Sequence, residues 1–115
     1  MISTHVLDTA SGRPAAGVPV VLERAGEGGG AGAAVVIARG VTDADGRVRE
    51  LIPAASGLAA GRYRLTFDTG AYFGATGVEG FYPLVTILFT VRDATQHHHV
   101  PLLLSPFGYA TYRGS

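Results

Sequence analysis

Four histidines and nine arginines carry most of the chemistry open to this 115-residue chain. Three histidines are consecutive, His97-His98-His99, and the fourth, His5, stands near the other end of the sequence. Imidazole is the side chain whose ordinary pKa allows it to act as a base near neutral pH. A guanidinium offers forked donors that suit a flat, oxygen-bearing ring or a developing oxyanion. All nine basic residues are Arg, with no Lys and no Cys in the chain. Schiff-base, P-loop, thiol, disulfide and Cys-zinc chemistry are thereby removed, leaving His, Arg, Asp, Glu, Ser, Thr and Tyr.

The histidine run continues into Val100-Pro101-Leu102-Leu103-Leu104. On a strand, alternation puts His97, His99, Pro101 and Leu103 on one face and His98, Val100, Leu102 and Leu104 on the other. The second face reads as core. The first combines imidazole with an apolar lining, which suits a subunit interface or a ligand pocket better than open surface. Three readings stand for the run: a metal site using His97 and His99 with His5, a solvated strand end with one core His, and an acid–base group in a pocket. A strand through Ser3-Thr4-His5-Val6-Leu7 puts His5 and Leu7 on one face, matching His99 and Leu103 in kind.

The elements that must hold these groups read as short strands. Arg62 to Asp68 alternates with Tyr63, Leu65 and Phe67 on its apolar side, and Val18–Arg24, Ala34–Thr42 and Leu84–Arg92 are β-rich, the last apolar enough to be covered on both faces. Turn residues recur between them, so the fold class expected is all-β, a sandwich or barrel. Thr42-Asp43-Ala44-Asp45-Gly46-Arg47 is a reverse turn expected to join two antiparallel strands, with Arg47 opening the second. It is not a calcium loop, because Ala54 stands where the bidentate Glu is needed. The Gly-rich stretch 25–33 reads as a long hairpin loop, and one short helix is expected around Thr69–Gly77, with Tyr72 and Phe73 packing on the sheet.

Length fits one domain over 1–115. Nine acids balance the nine arginines, so no basic footprint invites nucleic acid or an acidic membrane surface. No stretch reaches the roughly 18 apolar residues of a membrane span. Met1-Ile2-Ser3-Thr4-His5 does not begin a secretory signal, so the cytoplasm is the expected location.

Four segments in order now carry a resemblance: Ser3 to Val20, the Asp45-Gly46-Arg47 turn, His97-His98-His99-Val100-Pro101-Leu102-Leu103-Leu104, and Ser105 to the closing Tyr112-Arg113-Gly114-Ser115. Together they resemble the signatures of the transthyretin-like 5-hydroxyisourate hydrolases, over nearly the whole chain. The final tetrapeptide discriminates, since transthyretin itself shares the Leu-Ser-Pro segment but lacks it.

The resemblance implies a two-sheet β-sandwich with one short helix, assembled as a homotetramer with active sites at the dimer–dimer interface. It implies hydrolysis of 5-hydroxyisourate to 2-oxo-4-hydroxy-4-carboxy-5-ureidoimidazoline, on the route from urate to allantoin, with no metal and no organic cofactor. His5, Arg47 and His99 resemble the catalytic residues. His5 and His99 would orient and deprotonate water, and Arg47 would bind ring oxygens or the oxyanion. Tyr112, Arg113, Gly114 and Ser115 match the motif that completes the pocket, with Ser115 near the chemistry and Leu7, Pro101 and Leu103 lining the cleft. The alternative for Arg113 is a salt bridge on a closing edge strand, and interface packing would explain Tyr112 equally well. One departure is His98, where the family often has Tyr, expected to alter packing and not to add a ligand. A transthyretin-like binding module without turnover is the rival reading, and a purely structural sandwich domain a second.

Overall fold

The computed structural model describes residues 1–25, 34–52 and 58–115. The Gly-rich stretch read as a loop therefore lies, beyond Ala25, outside the described residues. Two sheets face each other. One holds β1 (Ile2–Asp8), β2 (Arg13–Pro14), β5 (Arg47–Ile52), β8 (His98–Ser105) and β9 (Gly108–Thr111), and the other runs β4 (Val35–Val41), β3 (Pro19–Arg24), β6 (Gly61–Phe67), β7 (Val85–Val91). Helix α1, Thr69–Thr76, spans the link between β6 and β7.

Alternation places the core. On β6, Tyr63, Leu65 and Phe67 are buried between the polar residues that flank them, as the sequence period requires. Opposite them, Ile2, Val6, Val100, Leu102 and Leu104 come from the first sheet, and Val20, Leu22, Val85 and Val91 complete the layer. Thr4 occupies a core position on β1 and satisfies its hydroxyl by donating to the Val100 carbonyl at 2.6 Å, removing the cost of an unpaired buried polar group.

β1 and β8 run parallel over seven paired residues, Ile2 with His98 through Asp8 with Leu104. Antiparallel β5 joins the other side of β1, pairing His5 with Arg47 and Thr4 with Val48. The turn before β5 is thus not a hairpin, since β4 belongs to the opposite sheet and the turn carries the chain across the sandwich. Asp43 Oδ1 accepts the Asp45 and Arg47 amides at 2.9 and 3.0 Å, and Gly46 adopts φ +75°. A Cβ on Gly46 would collide with the Val6 carbonyl. That close approach lets the Val6 amide donate to the Gly46 carbonyl at 2.7 Å, docking the turn on β1.

The expectation that β7 is covered on both faces is corrected. Val85, Ile87 and Val91 are buried, but Thr86, Leu88 and Thr90 are exposed, Leu88 by 50%. Among the described residues, no second layer covers the outer face of this sheet, and β7 ends it.

Helix α1 contains two glycines, Gly70 and Gly74, and would be marginal alone. Caps and tertiary contacts hold it. The Asp68 carboxylate accepts the Ala71 amide at 3.0 Å, Gly77 closes the helix at φ 72°, and Phe73 is buried. The Tyr72 hydroxyl donates to Asp8 Oδ2 at 2.8 Å, tying the helix to β1. Burial, then the bond to the Asp8 carboxylate, pushes the Tyr72 phenol from 10.0 up to about 12. Because the folded pKa lies above the unfolded one, this contribution is complete below pH 10 and disappears as pH rises through about 12. Tyr72→Phe is expected to cost roughly 1 to 2 kcal/mol at neutral pH, with the deficit closing between pH 10 and 12. Urea denaturation across that range checks it; a deficit independent of pH contradicts the role given to the Asp8 contact.

Candidate active site

Ladder partners share a face of their sheet, so the register determines which side chains meet. His5 pairs with Arg47 on β5 and with Pro101 on β8, while Ser3 pairs with His99 and Leu7 with Leu103. Cross-strand neighbours of this kind stand about 5 Å apart at Cβ. Strands β5, β1 and β8 thereby bring Arg47, His5, Ser3 and His99 to one outward face of the sheet, and Leu7 and Leu103 continue it as a half-buried apolar floor. Alongside Leu103, a shallow depression of about 370 Å³ reaches Tyr109 and Ala110.

The chain's last residues close this face at one end. The Gly114 amide donates to the His99 carbonyl at 2.8 Å, forming a bridge beyond β9. A Cβ on Gly114 would lie 2.5 Å from His99 Cδ2 and 3.3 Å from Pro101 Cγ. Glycine is needed there because the backbone itself lies against the imidazole. Pro101 is on the expected face but buried, its ring covered by the tail, so it supports the site from below and does not line an open cleft.

Arg113 and Tyr112 border a cavity that His99 also lines, whereas His5 and Arg47 do not line it. Arg113 donates to Gln96 Oε1 at 3.0 Å, and the cavity, of about 280 Å³, is lined further by Thr90, His98 and Thr111. Ser115 follows at the surface. His98 faces away from His99, as alternation requires; it is 4% exposed and its Nδ1 has no hydrogen-bond partner. Burial, followed by the Arg113 charge, holds its pKa below the usual histidine range.

Sequence reasoning missed Ser3. Its hydroxyl is 2.7 Å from His97 Nε2 and 2.8 Å from His99 Nδ1, bridging two rings whose centroids are 6.2 Å apart. The available signal was the spacing itself, because Ser3 precedes His5 by one strand repeat and must share its face. His99 is held below the usual histidine range first by burial, then by the Arg47, His97 and His5 charges. An imidazole so placed stays neutral and basic at pH values where an exposed one is charged. Among the described residues, no carboxylate pairs with Arg47, leaving the guanidinium free for an anionic or carbonyl oxygen. No three of the described His, Asp and Glu residues are grouped to hold a metal ion.

Residues 2–114 match the HIUase/Transthyretin family. The chain belongs to that family. It is 49% identical over 119 residues to the 5-hydroxyisourate hydrolase of Caulobacter vibrioides, covering 99% of this chain and 97% of that protein. The structure of Klebsiella pneumoniae 5-hydroxyisourate hydrolase superposes with a TM-score of 0.82 at 42% identity, covering 99% of this chain and 92% of the other. Sea bream transthyretin in complex with thyroxine superposes with a TM-score of 0.87 at 34% identity, covering 98% and 93%. The two-sheet fold with one short helix is thus the family's fold.

Gly114→Ala is expected to lift the tail from His99. Hydrogen exchange at the residue-114 amide should accelerate roughly tenfold, the loss of one hydrogen bond of about 1 kcal/mol, and the His99 ring signals should shift while the unfolding midpoint barely changes. Unaltered exchange and ring signals contradict the contact.

Proposed function

We propose that this chain, as one hydrolase domain over 1–115, opens the six-membered ring of 5-hydroxyisourate by hydrolysis at a cyclic amide-type bond. The observation that carries the reading is the convergence of His5, Arg47 and His99 from three strands onto one sheet face. The reaction needs a water made nucleophilic, donors for the oxyanion on the attacked carbonyl, and a cation for a flat polar ring. His99 serves as general base at Nε2, because its other nitrogen is engaged by Ser3. His5, one strand over, orients the water or the ring. Arg47 directs its forked donors at the carbonyl oxygen, where charge develops as hydroxide adds. The carbon–nitrogen bond then breaks, the ring nitrogen takes one proton of the attacking water, and the product carboxylate releases the other. Ser115 and Arg113 would complete the substrate contacts, with Tyr112 at their edge.

The sheet face is too open to enclose such a ring alone, which supports a homotetramer with the sites at a dimer–dimer interface. The exposure of Phe81 at 64% and Phe107 at 71% supports further subunit contacts. Neither the balanced charge nor the lack, among the described residues, of a helix long and apolar enough to cross a membrane conflicts with a cytoplasmic enzyme. The second reading, small-ligand binding without turnover, is favoured by the likeness to thyroxine-bound transthyretin. It gives no use to an unpaired Arg47 beside two imidazoles.

The test is ultraviolet absorbance of 5-hydroxyisourate made in place from urate by urate oxidase. The wild-type chain should speed its loss, and His99→Asn should lower kcat roughly a hundredfold or more with assembly unchanged on gel filtration. Undiminished turnover by His99→Asn removes His99 from the chemistry, and an intermediate whose decay the wild-type chain leaves unaltered favours the binding reading. The acid limb of kcat/KM should inflect below pH 6.5, the ordinary histidine value, since the base is lost only when His99 protonates. In Arg47→Gln, the residual activity should show that limb moved upward, because a neighbouring positive charge is gone; an unmoved limb contradicts the coupling.

A further inference from the structure

Ser3 is 4% exposed, and its hydroxyl has one proton with which to serve two rings. His97, on the far side of that hydroxyl, is exposed to solvent. One hydrogen arrangement leaves His99 fit to accept a proton at Nε2 while keeping the chain of bonds polarised outward. In it, His99 Nδ1–H donates to Ser3 Oγ, and Ser3 Oγ–H donates to His97 Nε2. The opposite arrangement puts the proton on His99 Nε2 and removes the base.

We propose that Ser3 and His97 are positioning residues that fix the His99 tautomer, carry a proton away from His99 Nδ1 when Nε2 takes one from water, and return it when Nε2 gives that proton to the ring nitrogen. The inference rests on the ring-opening reading of the same site. Hydrolysis of a cyclic amide consumes one water, one proton of which passes through His99 to the ring nitrogen while the new carboxylic acid releases the other, so His99 has to take up and give back a proton in every cycle. As His99 Nε2 takes a proton from water, the proton on Nδ1 passes to Ser3 Oγ. The Ser3 proton passes to His97 Nε2, and the His97 Nδ1 proton leaves to solvent. When His99 Nε2 gives its proton to the ring nitrogen, a solvent proton returns to His97 Nδ1 and the same hops run backward through Ser3 to His99 Nδ1, which restores every starting tautomer. No charge accumulates on His99, where His5 on β1, Arg47 on β5 and His97 before β8 all oppose it. A direct exit from His99 is obstructed on the Cδ2 side by Gly114.

His97→Gln tests the path without threatening the fold, because His97 is exposed and outside the β8 ladder. In dilute buffer, kcat should fall roughly ten- to a hundredfold with KM unchanged, and added imidazole should restore it saturably while leaving the wild-type rate alone. Ser3→Ala should lower kcat in the same way and displace the acid limb of its pH profile, and Ser3→Thr, which keeps the hydroxyl, should recover most of the rate. A His97→Gln enzyme with wild-type kcat at every buffer concentration overturns the relay. So does one that is slow, unresponsive to imidazole and raised in KM, since that is a loss of packing or substrate contact. If His99→Asn is inactive while His97→Gln is unimpaired, the relay fails and the site stands; if His99→Asn is active, the ring-opening assignment of His99 itself fails.

Discussion

Everything at the site depends on the parallel pairing of β1 with β8. These strands lie at opposite ends of the chain, and seven consecutive partners, Ile2 with His98 through Asp8 with Leu104, hold them in one register. A strand repeats every two residues, so a slip of one would send His99 into the core and His98 onto the working face. The core guards against that slip. Ile2, Thr4 and Val6 bury one side of β1 against Val100, Leu102 and Leu104, and the Thr4 hydroxyl bonds the Val100 carbonyl across the pair. A site made from residues about 95 positions apart is therefore as rigid as the sandwich core beneath it.

The same pairing sets the electrostatics. Three imidazoles and one guanidinium share a face without a matching carboxylate among the described residues. Such a group is unfavourable by itself, since each added positive charge disfavours the next. The arrangement keeps His99 neutral, Arg47 unpaired and the local field ready for an anionic ring or an oxyanion. The turn ahead of β5 contributes by geometry more than by charge. Gly46 lets its backbone lie against Val6, and Asp43 fixes the first amide of β5, so Arg47 starts its strand opposite His5.

Much of this was legible in the residues. The period of two assigned the faces of Arg62–Asp68, of His5 with Leu7, and of His99 with Leu103, and the short helix stands where it was expected, within Thr69–Gly77. What alternation cannot supply is which strands are neighbours. The turn at 42–47 looked like a hairpin because its composition is that of one, yet its strands sit in different sheets. Leu84–Arg92 looked covered on both faces because it is apolar throughout, and Leu88 is half exposed in the single chain. Pro101 and Ser3 show the same gap. Their face was readable, but the tail over the proline and the two rings around the serine hydroxyl are tertiary facts.

The central claim is that one sheet face, assembled by that register, holds a flat purine-derived ring and opens it by hydrolysis. A crystal structure with a non-hydrolysable purine analogue tests it most directly. The account predicts the ring against Leu7 and Leu103, with an oxygen within hydrogen-bond distance of the Arg47 guanidinium and an ordered water on His99 Nε2. An analogue seated away from His5, Arg47 and His99, or one that leaves all three untouched, would contradict it.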